Sequence, residues 1–492
     1  MAARAALGRW GTVNAYCLLA TDPLRQEAAE ASSEQPSALP AFQELQFDDP
    51  KQAFQAKSTA QLLQSLAVFK ACTIKPLVQN ANTLLTASRR IAAPVVDHAV
   101  KHTFFRHFCG GECVDSIQPT LQYLERHGIR PILNYAAEDD VNNEFGCEGC
   151  PVAAAERKLD RNLDIFLRSI RDSDNVRNRA FVAIKVTPLG PPKLLEKISE
   201  VLVAMGDPSD RGHSSAQLRE VMLPHLEPQE AASLDAMLRR LDTLCDAVVA
   251  KGNSRILVDA EHTYMQPAID ALAIRLQQRC NRSQPVVINT YQCYLKDAAA
   301  RIERDMQRAA EEGWVFGAKT VRGAYMVVER ARAAALGYAS PIQDTLQATH
   351  DNYDRCVERI LGAVAQGDAE LMVASHNQAS VQRAAACMHR LGLDPSTSGV
   401  YFGQLLGMAD HLSFTLGRAG YRIHKIVPYG PVHETLQYLI RRAQENSDVL
   451  GGCGKERAMI RSELLRRLRQ DNALARMLRP LTHAPPQTAA AA

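Results

Sequence analysis

The chain has 492 residues, of which 46% are hydrophobic and 23% are charged, and its net charge is +3 at pH 7. This length and composition are typical of a globular protein with a large core, built as one large domain or two. The near-neutral charge argues against a nucleic acid partner, and no apolar run reaches the roughly 18 residues that a membrane-spanning helix needs.

Residues 1–40 precede the first regular apolar pattern. Arg4 and Arg9 come before the first acidic residue, Asp22, and alanine is frequent, which is typical of a short organellar transit peptide. The stretch is poor in serine, so a disordered start is the alternative. Residues 28–40 are rich in Ala, Ser, Glu and Pro, which predicts a linker.

Residues 41–128 are predicted to form an N-terminal helical region. Ser58 begins the stretch STAQLLQSLAVFKA, in which apolar residues recur at helical spacing. Two further helical stretches are expected at about 76–108 and 116–127. We therefore expect an arm of helices ahead of the remaining chain.

After this arm, eight short apolar runs alternate with polar clusters and helical segments. The runs are ILNYA (132–136), FVAIKV (181–186), ILVDA (256–260), VVINTY (286–291), VFGAKTV (315–321), LMVAS (371–375), VYFGQLL (400–406) and IHKIV (423–427). Apolar strands that alternate with helices form parallel sheets, and eight of them predict a (βα)8 barrel over roughly 130–450. The fifth strand is the weakest prediction because Gly317 interrupts it.

Polar or charged residues follow seven of the predicted strands. They are Lys185, Asp259 with Glu261, Gln292, Arg322 with Tyr325, His376 with Asn377, Gln404, and Tyr429. Active sites of such barrels lie at the carboxyl ends of the strands. Any one of these residues alone could be a strand cap or a structural hydrogen bond, but seven at one end of a barrel predict a ligand site.

The stretch RIHKIVPYGPVHETLQYLIRRAQEN (422–446) joins the last strand to a helix predicted over 432–446. On a helical wheel one face is an apolar stripe and the opposite face is polar. The stripe is Leu436, Leu439, Ile440 and Ala443, and the polar face is Tyr438, Arg441, Arg442 and Glu445. The arginine pair is either a solvated surface or a clamp, because guanidinium groups bind a carboxylate bidentately.

The predicted C-terminal helix, about 455–479, holds eight Lys or Arg and three Asp or Glu. It is either a solvated helix or a peripheral contact with anionic lipid. The 12 cysteines of the chain follow no regular spacing, so we expect reduced thiols in an intracellular compartment rather than disulfides.

Motifs for nucleotide, metal and hydrolase sites are missing or incomplete. No GxGxxG follows a strand, GGCGKE (451–456) lacks both ends of a phosphate loop, and SHN (375–377) lacks the glycines of a nucleophile elbow. DPSDRG lacks acids of a calcium loop.

Metal ligands could come from two groups of residues, but surface histidines and inert cysteines are the alternative, and we predict no metal. The two groups are His98, His102, His107, Cys109 and Cys113, and Cys147 with Cys150.

The remaining barrel mouth has amides, tyrosines, a lysine, an aspartate, a histidine and an arginine pair. This set suits a small zwitterion together with a bound redox cofactor that carries the chemistry.

Long stretches within residues 116–470 resemble proline dehydrogenase of the eukaryotic mitochondrial type. In chain order they are VDAEHTYMQPAI, INTYQCYLKDA, WVFGAKTVRGAYMVVERARAAALGY, MVASHN, VYFGQLLGMADHLSF and VPYGPVHETLQYLIRRAQEN. The resemblance implies an α/β fold, namely a distorted (βα)8 TIM-like barrel over 129–480 that binds FAD without a Rossmann fold. The N-terminal helical arm would precede this barrel, and residues 481–492 would be a disordered tail. The last barrel helix would lie over the mouth.

The resemblance also implies roles for residues of the mouth. Arg441 and Arg442 would pair with the carboxylate of L-proline, and Lys185 and Asp259 would form a buried ion pair that lines the site. The pyrrolidine ring would be surrounded by Tyr325, Leu405, Tyr429 and Tyr438. The flavin would contact Gln292, Lys319, Arg322, Gly323, Ala324, Thr349, His376, Asn377, Gln404 and Glu445.

The implied activity is oxidation of L-proline to 1-pyrroline-5-carboxylate by hydride transfer to FAD. Electrons would pass to membrane quinone at the matrix side of the mitochondrial inner membrane, with peripheral membrane association and no nucleic acid partner. Hydroxyproline dehydrogenase is the nearest alternative, although the turn PYGPVHE has no Ser after Gly430, which favours proline. A different flavin barrel, such as methylenetetrahydrofolate reductase, and a non-catalytic binding barrel are further alternatives.

Overall fold

The computed structural model describes residues 45–136, 152–172, 180–206, 215–447 and 452–470. Four predictions lie outside these residues. They concern the transit peptide or linker at 1–40, the cysteines of FGCEGC, the loop that contains DPSDRG, and the tail at 481–492.

Eight parallel strands close into a barrel in sequence order, and the first strand pairs with the last along its whole length, from Ile129 beside Ile423 to Tyr135 beside Tyr429. The strands are β1 Ile129–Tyr135, β2 Ala180–Ile184, β3 Ser254–Val258, β4 Val287–Gln292, β5 Phe316–Val321, β6 Ala369–Ala374, β7 Val400–Leu405 and β8 Ile423–Tyr429. Each predicted apolar run overlaps one of them. The predicted TIM-like barrel is therefore confirmed.

Helices precede the barrel and surround it. The N-terminal helices are α1 Pro50–Phe54, α2 Thr59–Cys72, α3 Lys75–Gln79, α4 Ala81–Val100, α5 Arg106–Phe108 and α6 Val114–Arg126. The helices between strands are α7 Val152–Asp172, α8 Pro192–Met205, α9 Leu218–Met222, α10 Pro228–Lys251, α11 Gln266–Cys280, α12 Ala298–Glu312, α13 Met326–Leu336, α14 Leu346–Gln366, α15 Gln378–Arg390 and α16 Asp410–Arg418. The last two helices are α17 Leu436–Ser447 and α18 Gly452–Gln470.

The barrel interior is filled by side chains, and its amino-terminal end is closed by an ion pair. The interior cluster is Ile132, Phe181, Ala183, Leu257, Ile288, Met372 and Tyr401. At the amino-terminal end, both guanidinium nitrogens of Arg255 donate to the carboxylate of Glu370, one of them at 3.0 Å. The hydroxyl of Tyr401 donates to the same carboxylate at 3.0 Å. A filled interior leaves the opposite end of the barrel, the mouth, for ligands.

Gly317 does not weaken the fifth strand, contrary to the sequence-based expectation. It lies inside β5, which pairs with β4 on one side and β6 on the other. A Cβ added to Gly317 would lie 2.5 Å from the backbone oxygen of Val287 in β4. Glycine is therefore required here by the close approach of a neighbouring backbone.

The first predicted helix has the expected start. Ser58 Oγ accepts a hydrogen bond from Gln61 N at 3.2 Å, and Gln61 Oε1 accepts one from Ser58 N at 2.8 Å. These two bonds form a capping box that satisfies backbone donors at the beginning of α2.

The stretch 76–108 is helical but is not one helix. Asn80 separates α3 from α4, and residues Lys101–Phe105 are wound as a π-helix before α5. Within α4, Ala92 has non-helical angles, φ −147° and ψ 58°, two residues before Pro94. Proline has no N–H to donate and its ring clashes with the preceding turn, which explains this kink.

The last two helices differ from their predictions. α17 begins at Leu436 instead of residue 432, after turns that contain the buried Thr435. α18 is not a solvated helix, because one side of it is packed against α1 and α2. That side contributes Met459, Ile460 and Leu464 to a cluster with Ala53, Phe54, Leu62 and Phe69.

We predict that Gly317→Ala destabilises the protein by about 1–3 kcal/mol, because the new methyl group would overlap backbone that cannot move freely. The matched control is Gly362→Ala in α14, where an added Cβ has nothing within 4 Å. That change should raise stability by about 0.5–1 kcal/mol, since alanine is the better helix former. Thermal unfolding midpoints measure both, and shifts of equal sign would contradict the close-approach explanation.

Candidate active site

An ion pair joins two strand ends at the mouth. Asp259 is the first residue after β3, and its Oδ1 lies 2.6 Å from Nζ of Lys319 in β5, whose side chain is only 5% exposed. The sequence resemblance assigned Lys319 to the flavin and Lys185 to Asp259. Lys185 directly follows β2 and lies close enough to Glu261 and Tyr325 to lower the pKa of both. The structure therefore adds Lys319 as a buried cation for Asp259, while the pairing of Lys185 with Asp259 stays a prediction.

Glu261 ties the ends of three strands together. Its carboxylate accepts hydrogen bonds from the backbone N–H groups of Val186 and Thr187, each at 3.2 Å, and from the hydroxyl of Thr187 at 2.7 Å. Gln292, the last residue of β4, donates from Nε2 to the Glu261 carbonyl at 2.8 Å. Burial raises the pKa of Glu261, and the charge of Lys185 opposes that effect.

Tyr325, just before α13, stands beside these charges. Its ring centroid lies 4.3 Å from that of His262, which contacts the buried carboxylate of Glu329 at 3.2 Å. Burial raises the pKa of Tyr325, whereas Lys185 and Arg441 lower it. Because burial dominates, the phenol stays protonated at neutral pH and can donate a hydrogen bond.

The guanidinium of Arg322, after β5, is held rigidly by four neighbours. Nε donates to His350 Nδ1 at 2.9 Å, and the other two nitrogens donate to Ser375 Oγ at 2.8 Å and Ser380 Oγ at 2.9 Å. The group also lies 4.4 Å from the ring centroid of Tyr353. Burial lowers the pKa of Arg322 from its ordinary, very high value, and the group remains a cation.

Gly323 and Ala324 give the mouth an exposed backbone segment. Gly323 has φ +141°, and an added Cβ would lie 2.5 Å from the ring of Tyr294. Glycine thus lets the chain pass over that ring with its backbone accessible. Thr349 is buried in α14 and donates its hydroxyl to the carbonyl of Thr345 at 3.3 Å.

His376 is a neutral ring at the end of β6. Burial, together with the charges of Lys425 and Arg442, lowers the pKa of His376 to about 3. Its Nε2 accepts from the backbone N–H of Leu405, the last residue of β7, at 3.1 Å. The proton of the neutral ring is therefore on Nδ1, where it can be donated to a ligand.

Asn377 and Gln404, two other residues assigned to the flavin, are bound within the protein. Asn377 caps α15, since its Oδ1 accepts from Ser380 N at 3.0 Å. Gln404 donates to the carbonyl of Ser375 at 3.2 Å and accepts from the hydroxyl of Ser413 at 2.7 Å. Their visible role is to fix the loop after β6 beside the end of β7.

Helix α17 buries two residues of its polar face, Tyr438 and Arg442. Tyr438 and Arg442 are only 4% and 8% exposed, and the guanidinium carbon lies 5.0 Å from the centroid of the Tyr438 ring. Arg442 donates to Glu445 Oε1 at 2.5 Å. Within the described part of the chain, Arg442 Nε and the Tyr438 hydroxyl are buried without a hydrogen-bond partner. Burying a donor without a hydrogen bond costs free energy of folding. A ligand that offers acceptor oxygens would satisfy these donors.

The two arginines of α17 reach different sides of the mouth. Arg441 is half-buried and lies close enough to Tyr325 to lower its pKa, whereas Arg442 acts in the same way on His376. The helix therefore brings its arginines to both groups of residues at the strand ends. Its other side packs against the N-terminal arm, where Val78 joins the cluster that contains Tyr438 and Leu439.

Tyr429, the last residue of β8, is fixed at one edge of the mouth. Its hydroxyl lies 3.0 Å from Ser169 Oγ in α7, and its ring meets that of Tyr135 edge-on with centroids 5.5 Å apart. The hydroxyl is therefore anchored in the protein.

Comparison with known proteins decides the family. The sequence profile described as proline dehydrogenase matches residues 117–453. Proline dehydrogenase 1, mitochondrial, of Homo sapiens is 35% identical over 91% of this chain and 96% of its own length. The chain belongs to the proline dehydrogenase family. It is an oxidoreductase of that family, and the resemblance found in the sequence motifs is confirmed.

Other relatives refine this family membership. Hydroxyproline dehydrogenase of Xenopus laevis is 36% identical over 84% of this chain and 89% of its own length. The crystal structure of proline utilization A (PutA) from Bdellovibrio bacteriovorus, inactivated by N-propargylglycine, aligns with a TM-score of 0.59 at 15% identity. That match covers 86% of this chain and 41% of the PutA chain, so this chain spans about two fifths of that protein. At this identity it shows the shared barrel fold.

A buried ion cluster beside the mouth of this proline dehydrogenase family member was missed by the sequence analysis. Lys425 in β8 is 1% exposed, and its Nζ lies 2.8 Å from Asp410 Oδ1, while Lys57 pairs with the other oxygen of Asp410. Lys425 also donates to the carbonyls of Leu405, at 3.0 Å, and Met408. The sequence did contain one sign of this cluster, namely a lysine inside the apolar run IHKIV. A buried lysine needs a partner of opposite charge, because burying an unpaired charge is costly.

Glu456 of α18 completes this cluster. Its carboxylate accepts from the backbone N–H groups of Ala409 at 2.8 Å and Asp410 at 2.9 Å. Burial and the neighbouring Asp410 raise the pKa of Glu456 to about 7. The cluster therefore joins the N-terminal arm, the C-terminal helix and the end of β7 that carries Leu405.

We predict that Lys425→Met and Lys57→Met both lower the thermal unfolding midpoint, because each removes one cation from buried Asp410, at roughly 3–5 kcal/mol. Only Lys425→Met also releases the Leu405 carbonyl, so only it should lower the rate of proline oxidation with a dye acceptor, by tenfold or more. Lys57→Met should stay within about twofold of the unchanged protein. Equal kinetic losses in the two variants would show that the cluster acts through stability alone.

Proposed function

We propose that this protein catalyses the FAD-dependent oxidation of L-proline to 1-pyrroline-5-carboxylate and passes the electrons to membrane quinone. We place this activity in the mitochondrion, at the matrix side of the inner membrane. The family, and relatives from Homo sapiens, Caenorhabditis elegans and Drosophila melanogaster that are named mitochondrial proline dehydrogenase 1, support this proposal. The structural observation that carries it is the buried pair Tyr438 and Arg442, whose hydroxyl and Nε have no hydrogen-bond partner among the described residues.

The carboxylate of proline would bind the two arginines of α17. Arg442 Nε is an available buried donor, and Arg441 approaches from the side of Tyr325. Charge-assisted bonds to a carboxylate from two directions fix both its position and the ring attached to it. The pyrrolidine ring would then lie among Tyr325, Leu405, Tyr429 and Tyr438.

The oxidation needs a neutral ring nitrogen, because its lone pair forms the new C=N bond as hydride leaves the adjacent carbon. The two carboxylates described at these strand ends have cations beside them: Asp259 is paired with Lys319 at 2.6 Å, and Lys185 is close enough to Glu261 to lower its pKa. The protonated Tyr325 phenol is likewise uncharged. These residues bind and orient the substrate while leaving its amine free to lose a proton.

The residues at the ends of β5 and β6 fit a flavin. Bound FAD would supply the hydride acceptor. Arg322 offers a fixed cation, Gly323 and Ala324 offer accessible backbone, and His376 offers the proton on Nδ1. Glu445, about one third exposed, would complete this part of the site from α17. Gln292, Lys319, Thr349, Asn377 and Gln404 each have a polar atom bound within the protein, and they would hold the loops that make these contacts.

Hydroxyproline dehydrogenation is the second candidate function. Relatives with that name from Xenopus laevis and Rattus norvegicus are 36% and 35% identical to this chain, as similar as the human proline dehydrogenase 1 at 35%. The added hydroxyl needs a polar partner beside the ring. The Tyr438 hydroxyl, which has no partner within the described part of the chain, would serve it when the ring binds with that edge toward α17.

We predict that Arg442→Met and Arg441→Met each raise the KM for proline by about tenfold or more, because a charge-assisted hydrogen bond is worth roughly 1.5–3 kcal/mol. The matched control is Arg461→Met, which removes an exposed arginine from α18 and should leave KM unchanged. Visible absorbance of the purified variants checks that flavin is retained. An unchanged KM in both α17 variants would overturn the clamp.

A further inference from the structure

Helices α3 and α4 carry an exposed apolar surface. Its large aliphatic side chains are Ile74, Leu77, Leu84, Ile91 and Val95, which are 49%, 39%, 44%, 89% and 69% exposed. We call these residues the α3–α4 surface. None of the 20 residues of α4 is buried. Helices in proteins are stabilised mainly by packing of an apolar face, so this helix requires a further surface to rest on.

The exposed aliphatic residues of this surface lie on two helices and on both sides of the kink in α4. Leu84 and Ile91 are seven residues apart in the part of α4 before the kink at Ala92, which places them on one side of that helix, while Leu77 lies in α3 and Val95 follows the kink. The opposite side touches α17. There, Val78 is buried with Tyr438, and Asn82 accepts a hydrogen bond from Gln437 at 3.4 Å. The α3–α4 surface therefore belongs to helices that pack on α17, the helix that holds Arg441 and Arg442.

The same segment carries a net positive charge. Residues 74–100 contain three Lys or Arg and a single Asp, a local charge of +2, and Arg89 pairs with that Asp97 at 2.9 Å. Arg90 and Lys75 are exposed beside the aliphatic side chains. An exposed apolar surface flanked by cations matches the boundary between anionic headgroups and acyl chains of a lipid bilayer.

We propose that the α3–α4 surface docks onto an anionic lipid bilayer and lies in its headgroup region. No helix in the described part of the chain has both the length and the apolar character to cross a bilayer. A second copy of the chain is a poorer occupant, because a two-fold contact would set this positively charged segment against itself. The proposal rests on the proposed function in one respect: docking brings the helix over the mouth to the membrane that holds the quinone.

The test is flotation of the full-length, FAD-loaded protein with vesicles of phosphatidylcholine that contain about one fifth phosphatidylglycerol, and with vesicles of phosphatidylcholine alone. We expect binding to the anionic vesicles that weakens about fivefold when Arg90 is changed to Gln. The variant Ile91→Glu/Val95→Glu should lower the partition coefficient at least tenfold. Both residues are exposed, so the variant should fold.

The matched control is Leu465→Glu/Leu468→Glu on α18, where these residues are 47% and 66% exposed. Lipid contact is one alternative that the sequence offers for this basic helix. It should bind vesicles within about twofold of the unchanged protein. The proposal is overturned if the α18 variant alone loses binding, if the unchanged protein ignores anionic vesicles, or if Ile91→Glu/Val95→Glu abolishes only self-association in sedimentation velocity.

Flavin reduction by proline in solution separates this proposal from the proposed function. We expect both double variants to be reduced as fast as the unchanged protein, because neither touches the mouth. Vesicle binding without any reduction by proline would leave the docking surface standing and overturn the proposed substrate.

Discussion

The buried carboxylate of Asp410 is the point on which the arrangement of the site depends. It binds Lys425 of β8 at 2.8 Å and Lys57 of the N-terminal arm, while its backbone N–H is held by Glu456 of the C-terminal helix. A buried anion needs such partners, because an uncompensated charge in the interior is very costly. The arm and the last helix, which lie outside the barrel in sequence, are thereby fixed to the strand ends that form the mouth.

This arrangement explains how an arginine clamp can be buried. α17 lies between two layers: the N-terminal arm packs on Leu439 through Val78, and the mouth receives Arg441 and Arg442. A clamp covered by the arm is shielded from water, so its hydrogen bonds to a carboxylate are stronger than on an open surface. The same covering leaves the outer side of α3 and α4 exposed, which is where we infer contact with lipid.

The barrel could be predicted because each strand is an apolar run bounded by polar residues, as in ILVDA and IHKIV. The contact of Lys319 with Asp259 could not, because Lys319 lies inside β5 and Asp259 follows β3, and only the closed barrel shows that the two strand ends meet. The helical wheel gave the right faces for α17 but could not show that the arm covers one and the mouth the other. The sequence suggested that Gly317 weakens its strand. Glycine is needed there because the carbonyl of Val287 on the neighbouring strand approaches closely, and the sequence does not show this contact.

The most direct test of this account is anaerobic mixing of the purified, FAD-loaded protein with L-proline and, separately, with trans-4-hydroxy-L-proline. The account predicts that proline bleaches the oxidised flavin band, and faster than hydroxyproline does. Faster bleaching by hydroxyproline would move the assignment to the second candidate function. A protein that takes up no FAD, or whose flavin neither substrate reduces, would contradict the proposed chemistry and leave only the family and the barrel.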